Sequence, residues 1–331
     1  MERREFITLL GGAAVACPIV ARAQVKRPIP RIGVLWHAAN AKEEGPLFTA
    51  LVEGFKDLGY VEGRTIILDH RFPNEMPDRF KSMAAELVSL NVDVIVSSGN
   101  NATPYAKDAT TTIPVVFMLV VDPVGTNFVK SFARPGGNVT GVSNFASELI
   151  PKRLELLKEA IPSLSHVAQL VNPLAQVSRL YIDLTQTAAA QLGLTVHRFE
   201  ARSRDELEPA FEAMTRVGAQ ALLTNADGLS YAARESIAEL ALKTRLPAAV
   251  WSRETLVTSA PGALLAYGVD SLAICRRTAV YVDKILKGAK PGELAVEQPT
   301  KFEFLINLKT AKALGLELPP SLLARADEVI E

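Results

Sequence analysis

Four histidines, His37, His70, His166 and His197, are the natural candidates for acid–base or metal chemistry. His166 and His197 fall at or within strand-like runs, where a hydrogen-bonded structural role is expected. No HExxH pair and no close His/Asp/Glu cluster accompanies any of the four, so metal-ligand spacing is missing. Gly141-Val142-Ser143-Asn144-Phe145 begins like a nucleophile elbow but ends in Phe, where the sharp turn needs Gly. A secreted α/β hydrolase acting through Ser143 would also need a histidine beside it. Gly136 to Gly141 has the glycine spacing of a phosphate loop, yet Val142 and Ser143 stand where Lys-Ser/Thr would carry the charge. No GxGxxG follows a strand, which argues against a dinucleotide. The two cysteines, Cys17 and Cys275, form neither a CxxC pair nor a cysteine-rich zinc site. These residues give no reason to expect catalysis, a metal or a cofactor.

What they offer instead is hydrogen bonding. In open α/β sheets ligands sit just beyond the carboxyl ends of strands. The strand-end segments here carry Trp36 and His37, then Ser97 to Thr103 (with Asn100, Asn101 and Thr103), then Asp122, then Ser143, Asn144 and Phe145. The second half contributes Asn172, Asp227, Trp251 and Tyr267. Hydroxyls and amides can receive a carboxylate, and Asp122 or Asp227 can pair an ammonium. Trp36, Trp251 and Tyr267 can stack on an apolar or aromatic group. A plainer role is open at each: Asp122-Pro123 and Asn172-Pro173 are also turn or helix-start signals, and Trp251 also suits the core. The polar run Ser97-Ser98-Gly99-Asn100-Asn101, ahead of Thr103-Pro104, suits a helix N-terminus whose free amides favour an anion.

The elements that must position these groups alternate. Arg31 to Trp36 reads as a buried strand, and Leu47, Leu51, Phe55 and Leu58 recur on one helical face that stops at Gly59. Strands at Thr65–Leu68, Val92–Val96, Pro114–Met118 and Val139–Val142 follow, with a helix marked by Met83, Leu87 and Leu90. The pattern then restarts: helix Pro151–Ile161, strand His166–Val171, helix Leu180–Leu192, strand Leu194–Phe199, helix Glu206–Val217 and strand Ala221–Thr224. A helix over Tyr231–Thr244, strands Pro247–Trp251 and Ala263–Tyr267, and a long helix Leu272–Leu286 complete it. Such alternation predicts parallel sheets covered on both faces, in two doubly wound lobes with several chain crossings and a ligand cleft between them. No residue-level repeat relates the halves.

Composition sets the outer bounds. At roughly 150 residues per domain, 331 residues suggest two domains, and 48% hydrophobic content can fill their cores. Lys+Arg and Asp+Glu both number 36, so no global basic field favours nucleic acid. Residues Ile7 to Ala21 form an apolar run behind Arg3-Arg4, shorter than the ~20 residues a membrane-spanning helix needs. The run ends in Ala21-Arg22-Ala23, so residues 1–23 read as a secretory signal cleaved before Gln24. Arg3-Arg4-Glu5-Phe6-Ile7 is similar to the twin-arginine export motif. Ala14-Val15-Ala16-Cys17 as a lipoprotein box, and an uncleaved anchor, are the rival readings. After cleavage Cys275 stands alone.

Two longer stretches carry a family resemblance. One runs from Val115-Val116-Phe117 through Asp122-Pro123-Val124 and Arg134-Pro135-Gly136-Gly137-Asn138-Val139-Thr140-Gly141-Val142-Ser143. The other runs from Tyr281-Val282-Asp283-Lys284-Ile285-Leu286-Lys287-Gly288-Ala289 through Glu297-Gln298-Pro299-Thr300-Lys301-Phe302-Glu303 and Asn307-Leu308-Lys309-Thr310-Ala311-Lys312 to Ala326-Asp327-Glu328-Val329-Ile330. Together they resemble the ABC transporter substrate-binding protein family that includes TrpX-type tryptophan binders, over essentially all of residues 30–331.

The resemblance implies an α/β type I periplasmic-binding-protein fold: two doubly wound, Rossmann-like lobes joined by a hinge. By the family's pattern lobe 1 is 30–144 plus 269–297, and lobe 2 is 145–268 plus 298–331. Trp36, Asn100 to Thr103, Asp122 and Ser143 then face the cleft from one lobe, and Asn172, Asp227, Trp251 and Tyr267 from the other. It further implies a monomer that captures a small molecule in the periplasm and delivers it to an ABC permease in the inner membrane. A ligand-sensing module for a membrane sensor kinase is the alternative. The sequence departs from the pattern at Asn144-Phe145, at Ser259 to Gly268, and at Ala226 to Tyr231, where Pro-Phe-Phe is absent. Aromatic amino acids, branched amino acids and small carboxylates therefore all stay open as ligands.

Overall fold

The computed structural model describes residues 29–257 and 261–331; the signal segment 1–23, Cys17, and Ser259 and Ala260 lie outside them. The chain runs β1 (Arg31–Leu35), α1 (Ala41–Glu44), α2 (Pro46–Asp57), β2 (Ile67–Arg71), α3 (Pro77–Ser89), β3 (Val94–Ser98), α4 (Gly99–Ala109), β4 (Val115–Val120) and β5 (Val139–Ser143). It continues through α5 (Ile150–Ala160), β6 (His166–Val171), α6 (Ser178–Gln191), β7 (Thr195–Glu200), α7 (Leu207–Arg216), β8 (Ala221–Thr224), α8 (Gly228–Ala232), α9 (Arg234–Lys243), β9 (Ala248–Val250), α10 (Arg253–Val257) and β10 (Leu265–Val269). It ends with α11 (Ser271–Leu286), β11 (Phe302–Asn307), α12 (Leu308–Leu314), α13 (Pro320–Leu323) and β12 (Glu328–Ile330).

Two sheets result, in the orders β2-β1-β3-β4-β5 and β12-β11-β10-β9-β8-β6-β7. The first is parallel throughout; in the second only the β10–β11 pair is antiparallel. The central strands β3 and β4 are buried at every position, as strands covered on both faces must be. The edge strand β7 keeps charged and polar groups outward instead. Read from β7, the second sheet repeats the order of the first: second strand, first, third, fourth, fifth. Each sheet therefore has a topological switch point, between β1 and β3 in one and between β6 and β8 in the other, and a crevice opens there beyond the strand ends.

The chain crosses between the sheets three times. It leaves β5 for α5, which packs on β8, β9 and β10; it returns from β10 into α11, which packs on α2 and β4; it crosses again before β11. The last crossing is stitched to the first sheet, because Ser143 N–H donates to Glu297 O (2.8 Å) and Glu297 N–H to Gly141 O (3.1 Å). The α2–α11 contact depends on Gly54, where an added Cβ would lie 2.9 Å from the Arg276 backbone. The architecture is thus a type I periplasmic binding fold, two doubly wound α/β lobes joined by three crossings.

Local differences from the sequence reading have local causes. The strand expected at Thr65–Leu68 begins later, at Ile67, because a turn is closed by Gly63 N–H to Ile66 O (2.8 Å). The helix expected over Tyr231–Thr244 is two helices meeting at Ala233. The Ser97–Thr103 run turns helical at Gly99, with Pro104 inside α4; a proline there removes one backbone bond but keeps a helical φ. The antiparallel β11, and α12, α13 and β12 after it, extend the second sheet beyond the parallel pattern.

Candidate functional site

The two switch points face each other across a cavity with about 470 Å³ of space between its atoms, part of it open to solvent, at the place where doubly wound folds hold small molecules. From the first lobe it is lined by His37 after β1, by Ser98 to Asn101 at the β3–α4 junction, by Leu119 and by Asn144. From the second come Ala175 and Val177 after β6, Ala226 to Gly228 after β8, Tyr231, and Trp251 after β9.

The loop after β1 is held by Glu44, whose Oε1 accepts from His37 N (3.0 Å) and Ala38 N (2.8 Å). The His37 ring lies between two carboxylates, with Nε2 3.2 Å from Glu44 Oε2 and Nδ1 3.1 Å from Glu75 Oε1. Burial alone would lower its pKa, but Glu44 and Glu75 outweigh that and raise it to about 9, so the ring is a cation at neutral pH. These are close charge pairs rather than well-directed hydrogen bonds: His37 Nδ1, Glu44 Oε2 and Glu75 Oε1 all lack a hydrogen-bond partner. Burial also pushes the Glu44 carboxyl up, against the pull of His37.

Glu75 arrives there through two consecutive left-handed residues, Asn74 (φ 58°) and Glu75 (φ 56°), pinned by Asn74 N–H to Ala38 O and Glu75 N–H to His37 O. Strain of this kind persists only where surrounding bonds fix it, and it concentrates at functional sites. Asn101 Nδ2 donates to Glu75 Oε2. Glu75 Oε1 projects to the opposite lobe, so close to Gly228 that an added Cβ there would sit 2.0 Å away.

From the second lobe, Asp227 caps α8, accepting from Ser230 N (3.0 Å) and Ser230 Oγ (2.9 Å). Burial raises its pKa to about 6, against the Ser230 bonds and with help from Glu75. Its loop is braced from below by Tyr181 Oη to Ala226 O (3.0 Å) and Arg153 Nη1 to Thr224 O (3.1 Å). Across the cavity, Ser98 stands at the N-cap of α4 without making a capping bond, and its buried hydroxyl has no partner. Leu119 enters the wall through a register shift in β4 and a left-handed φ of 59°.

The lobes also touch directly beside the cavity. Tyr231 Oη donates to Glu44 O (3.0 Å), Arg234 Nη1 to Glu43 O (3.0 Å), and Arg204 pairs Glu43 Oε2 (3.0 Å). These bonds join α1 to α8, to α9 and to the turn that carries Arg204.

Of the residues singled out from the sequence, His37, Asn100, Asn101, Asn144, Asp227 and Trp251 share this cavity. Asn100 also clamps the chain, exchanging bonds with Val121 O (2.9 Å) and Val121 N (2.8 Å), and Asn144 Oδ1 accepts from Ala146 N (2.7 Å). Asn172 lines the adjoining mouth with Glu75, Tyr105 and Leu174, its Oδ1 accepting from Leu174 N. The others lie elsewhere. Trp36 is fully buried and gives its indole N–H to His70 Nδ1 (3.0 Å); burial lowers the His70 pKa to about 4, which keeps that nitrogen an acceptor. Thr103 Oγ1 is spent on Gly99 O (2.7 Å), and Asp122, at φ 45°, closes a turn by accepting from Gly125 N (2.8 Å). Ser143 donates to Val120 O (3.1 Å) and is buried outside the cavity, so it is not presented as a nucleophile. Phe145 and Tyr267 pack on Phe302 of β11, against the second sheet rather than in the cavity. His166 and His197 bond each other across β6 and β7 (3.0 Å). Glu44, Glu75, Leu119 and Tyr231 were not singled out. Ser98 fell within the highlighted Ser97–Thr103 run, and Tyr231 within the segment that departs from the family pattern; nothing in the sequence marks Glu75 or Leu119. Among the described residues, no group of three or more His, Cys, Asp or Glu side chains is placed to hold a metal, and Cys275 is buried and free.

A sequence model of the ABC transporter substrate binding proteins matches residues 44–330. The chain belongs to that family. This substrate-binding protein is 28% identical over 268 residues to a tyrosine-binding protein of Clostridioides difficile, covering 80% of this chain and 75% of the relative. Its fold superposes on that of a Streptococcus pneumoniae ABC domain in complex with L-Trp with a TM-score of 0.84, at 25% identity over 92% of this chain and all of that one (100%). A conserved domain protein from Vibrio cholerae gives the same TM-score, 0.84, at 27% identity over 91% of this substrate-binding protein and 100% of the other.

Proposed function

We propose that this substrate-binding protein is the periplasmic receptor of an ABC importer and that it holds a free amino acid between its lobes. The observation that carries the ligand class is the set of carboxylates around the cavity. Asp227 on its wall, Glu75 at its mouth and Glu44 buried behind it face one imidazolium, His37; no lysine or arginine among the described residues lines the cavity itself, and Arg202 stands with Glu75 at the mouth. Buried carboxylates in excess are costly unless a cation joins them, and a ligand ammonium between Asp227 and Glu75 supplies it. Opposite, the uncapped N-terminus of the 11-residue helix α4 and the free Ser98 hydroxyl suit a carboxylate. An ammonium and a carboxylate held this way, with Leu47, Leu119, Val177 and Trp251 around the remainder, describe an amino acid with an apolar body. The tyrosine and tryptophan named for the relatives fit that description.

In this reading Glu75, Asn101 and His37 bind from lobe 1 (30–144 plus 269–297), Asp227 and Trp251 from lobe 2 (145–268 plus 298–331), and the monomer closes by hinge motion before docking on its permease. Export rests on the 1–23 signal; mass spectrometry of the secreted protein should find Gln24 first. The ligand is tested by unfolding, dialysing and refolding the protein, then screening amino acids and small carboxylates by thermal shift. A ligand at about 100 times its Kd adds roughly 2.7 kcal/mol, several degrees in Tm. A response to amino acids but not to the matching amines or acids supports the zwitterion site; a response only to carboxylates lacking an ammonium would falsify it.

A further inference from the structure

Trp251 is buried to 4% exposure on the cavity wall, and its indole N–H has no acceptor. An indole nitrogen can only donate, and leaving a buried donor unpaired is costly. The other tryptophan of the chain shows the ordinary solution, since Trp36 donates to His70. The nearest ring to Trp251 offers no such help: Tyr231, 6.0 Å away between centroids, has its hydroxyl committed to Glu44 O across the lobes. The apolar part of the cavity lining comes from Leu47, Leu119, Val177 and Ala226.

We propose that Trp251 determines specificity, its N–H donating to an oxygen at the tip of an otherwise apolar, neutral ligand side chain, of which a phenol is the simplest example. This rests on the amino-acid reading above and narrows it. A hydrocarbon tip leaves the N–H unpaired. A second indole sets a donor against a donor. An anionic tip adds to the carboxylates already present, Asp227 on the wall and Glu75 at the mouth.

The test is calorimetric titration of refolded, ligand-free protein with L-tyrosine, L-phenylalanine and L-tryptophan. L-tyrosine is expected to bind about tenfold to a hundredfold more tightly than either of the others, the loss that follows when one buried donor stays unpaired. In Trp251→Phe the tyrosine-to-phenylalanine ratio should fall to about 1, through weaker tyrosine binding. Equal affinities for tyrosine and phenylalanine in the unaltered protein overturn the role of Trp251 while leaving the amino-acid site standing. So does a ratio that survives in Trp251→Phe. Binding of none of the three overturns both. Equal affinities in the unaltered protein overturn the proposal whether or not the variant folds.

Discussion

Asp227 is where stability and binding pull in opposite directions. Its pKa, raised by burial from 3.8 to about 6, means that the ionised carboxylate is held at a cost in the empty protein. A group raised in this way contributes stability below its unfolded pKa and loses it as pH climbs through the folded value. An ammonium ligand favours the ionised form, so affinity should rise from about pH 5 to about pH 7, with proton release on binding as the calorimetric readout. Asp227→Asn keeps an oxygen to cap α8, and asparagine caps as well as aspartate. That variant should melt no lower than the parent yet bind an amino acid at least about tenfold more weakly; unchanged affinity would remove Asp227 from the ligand. His37 works at the other end of the scale. Its pKa, raised from 6.5 to about 9 by Glu44 and Glu75 against the effect of burial, gives stability that is complete below 6.5 and lost as pH rises through 9. Melting temperature should therefore fall between about pH 7 and pH 10, and the fall should be absent in His37→Gln.

At the scale of elements, the site is built from junctions rather than from the regular parts of strands and helices. The β1–α1, β3–α4, β6–α6 and β8–α8 junctions all deliver backbone ends to one cavity because both sheets share the same strand order. The packing that fixes lobe 1 beneath them runs through α2 and α11. Gly54→Ala puts a Cβ 2.9 Å from the Arg276 backbone, where no flexible side chain can give way. Overpacking of this kind costs about 1–3 kcal/mol, and the gain of about 1 kcal/mol in helix propensity does not cancel it. The variant should unfold at lower denaturant, with the slope unchanged. Gly228→Ala acts differently: the obstructing atom is the end of the Glu75 side chain, which can swing aside. Stability should hold while ligand affinity drops, a separation that paired melting and titration experiments would reveal.

At the scale of the whole molecule, the lobes are joined beside the cavity by bonds that do not involve ligand. Tyr231, Arg234 and Arg204 all reach α1 from the second lobe. A ligand shifts the open–closed balance only by its differential affinity, and interlobe bonds set where that balance starts. Tyr231→Phe combined with Arg234→Gln removes two of them without emptying the cavity wall. The doubly substituted, ligand-free protein should show a larger radius of gyration in solution scattering than the parent, and saturating ligand should bring both to the same compact value. Identical radii without ligand would show that these contacts do not hold the lobes together.

The sequence by itself determined the α/β class, most strands and helices, and the loops worth searching. Apolar runs such as Val94–Val96 and the helical spacing of Leu47, Leu51 and Phe55 are local signals, and burial enforces them wherever the chain folds. The Ser97–Thr103 run was legible for the same reason, since a polar, glycine-bearing segment after a buried strand has few other uses. What tertiary structure alone decided is which side chains meet. Trp36 and Trp251 are the same residue after strands of the same kind, yet one is satisfied by His70 and buried in a core while the other stands unpaired on a cavity wall. Ser143 and Asp122 hold strand-end positions but spend their oxygens on neighbouring backbone. Glu75 gave no signal, because its role comes from two left-handed residues and from a glycine 153 positions away in the opposite lobe. Periodicity records what a residue needs from its own element; charge balance and hydrogen-bond satisfaction depend on partners brought by the chain crossings, and no local pattern encodes those.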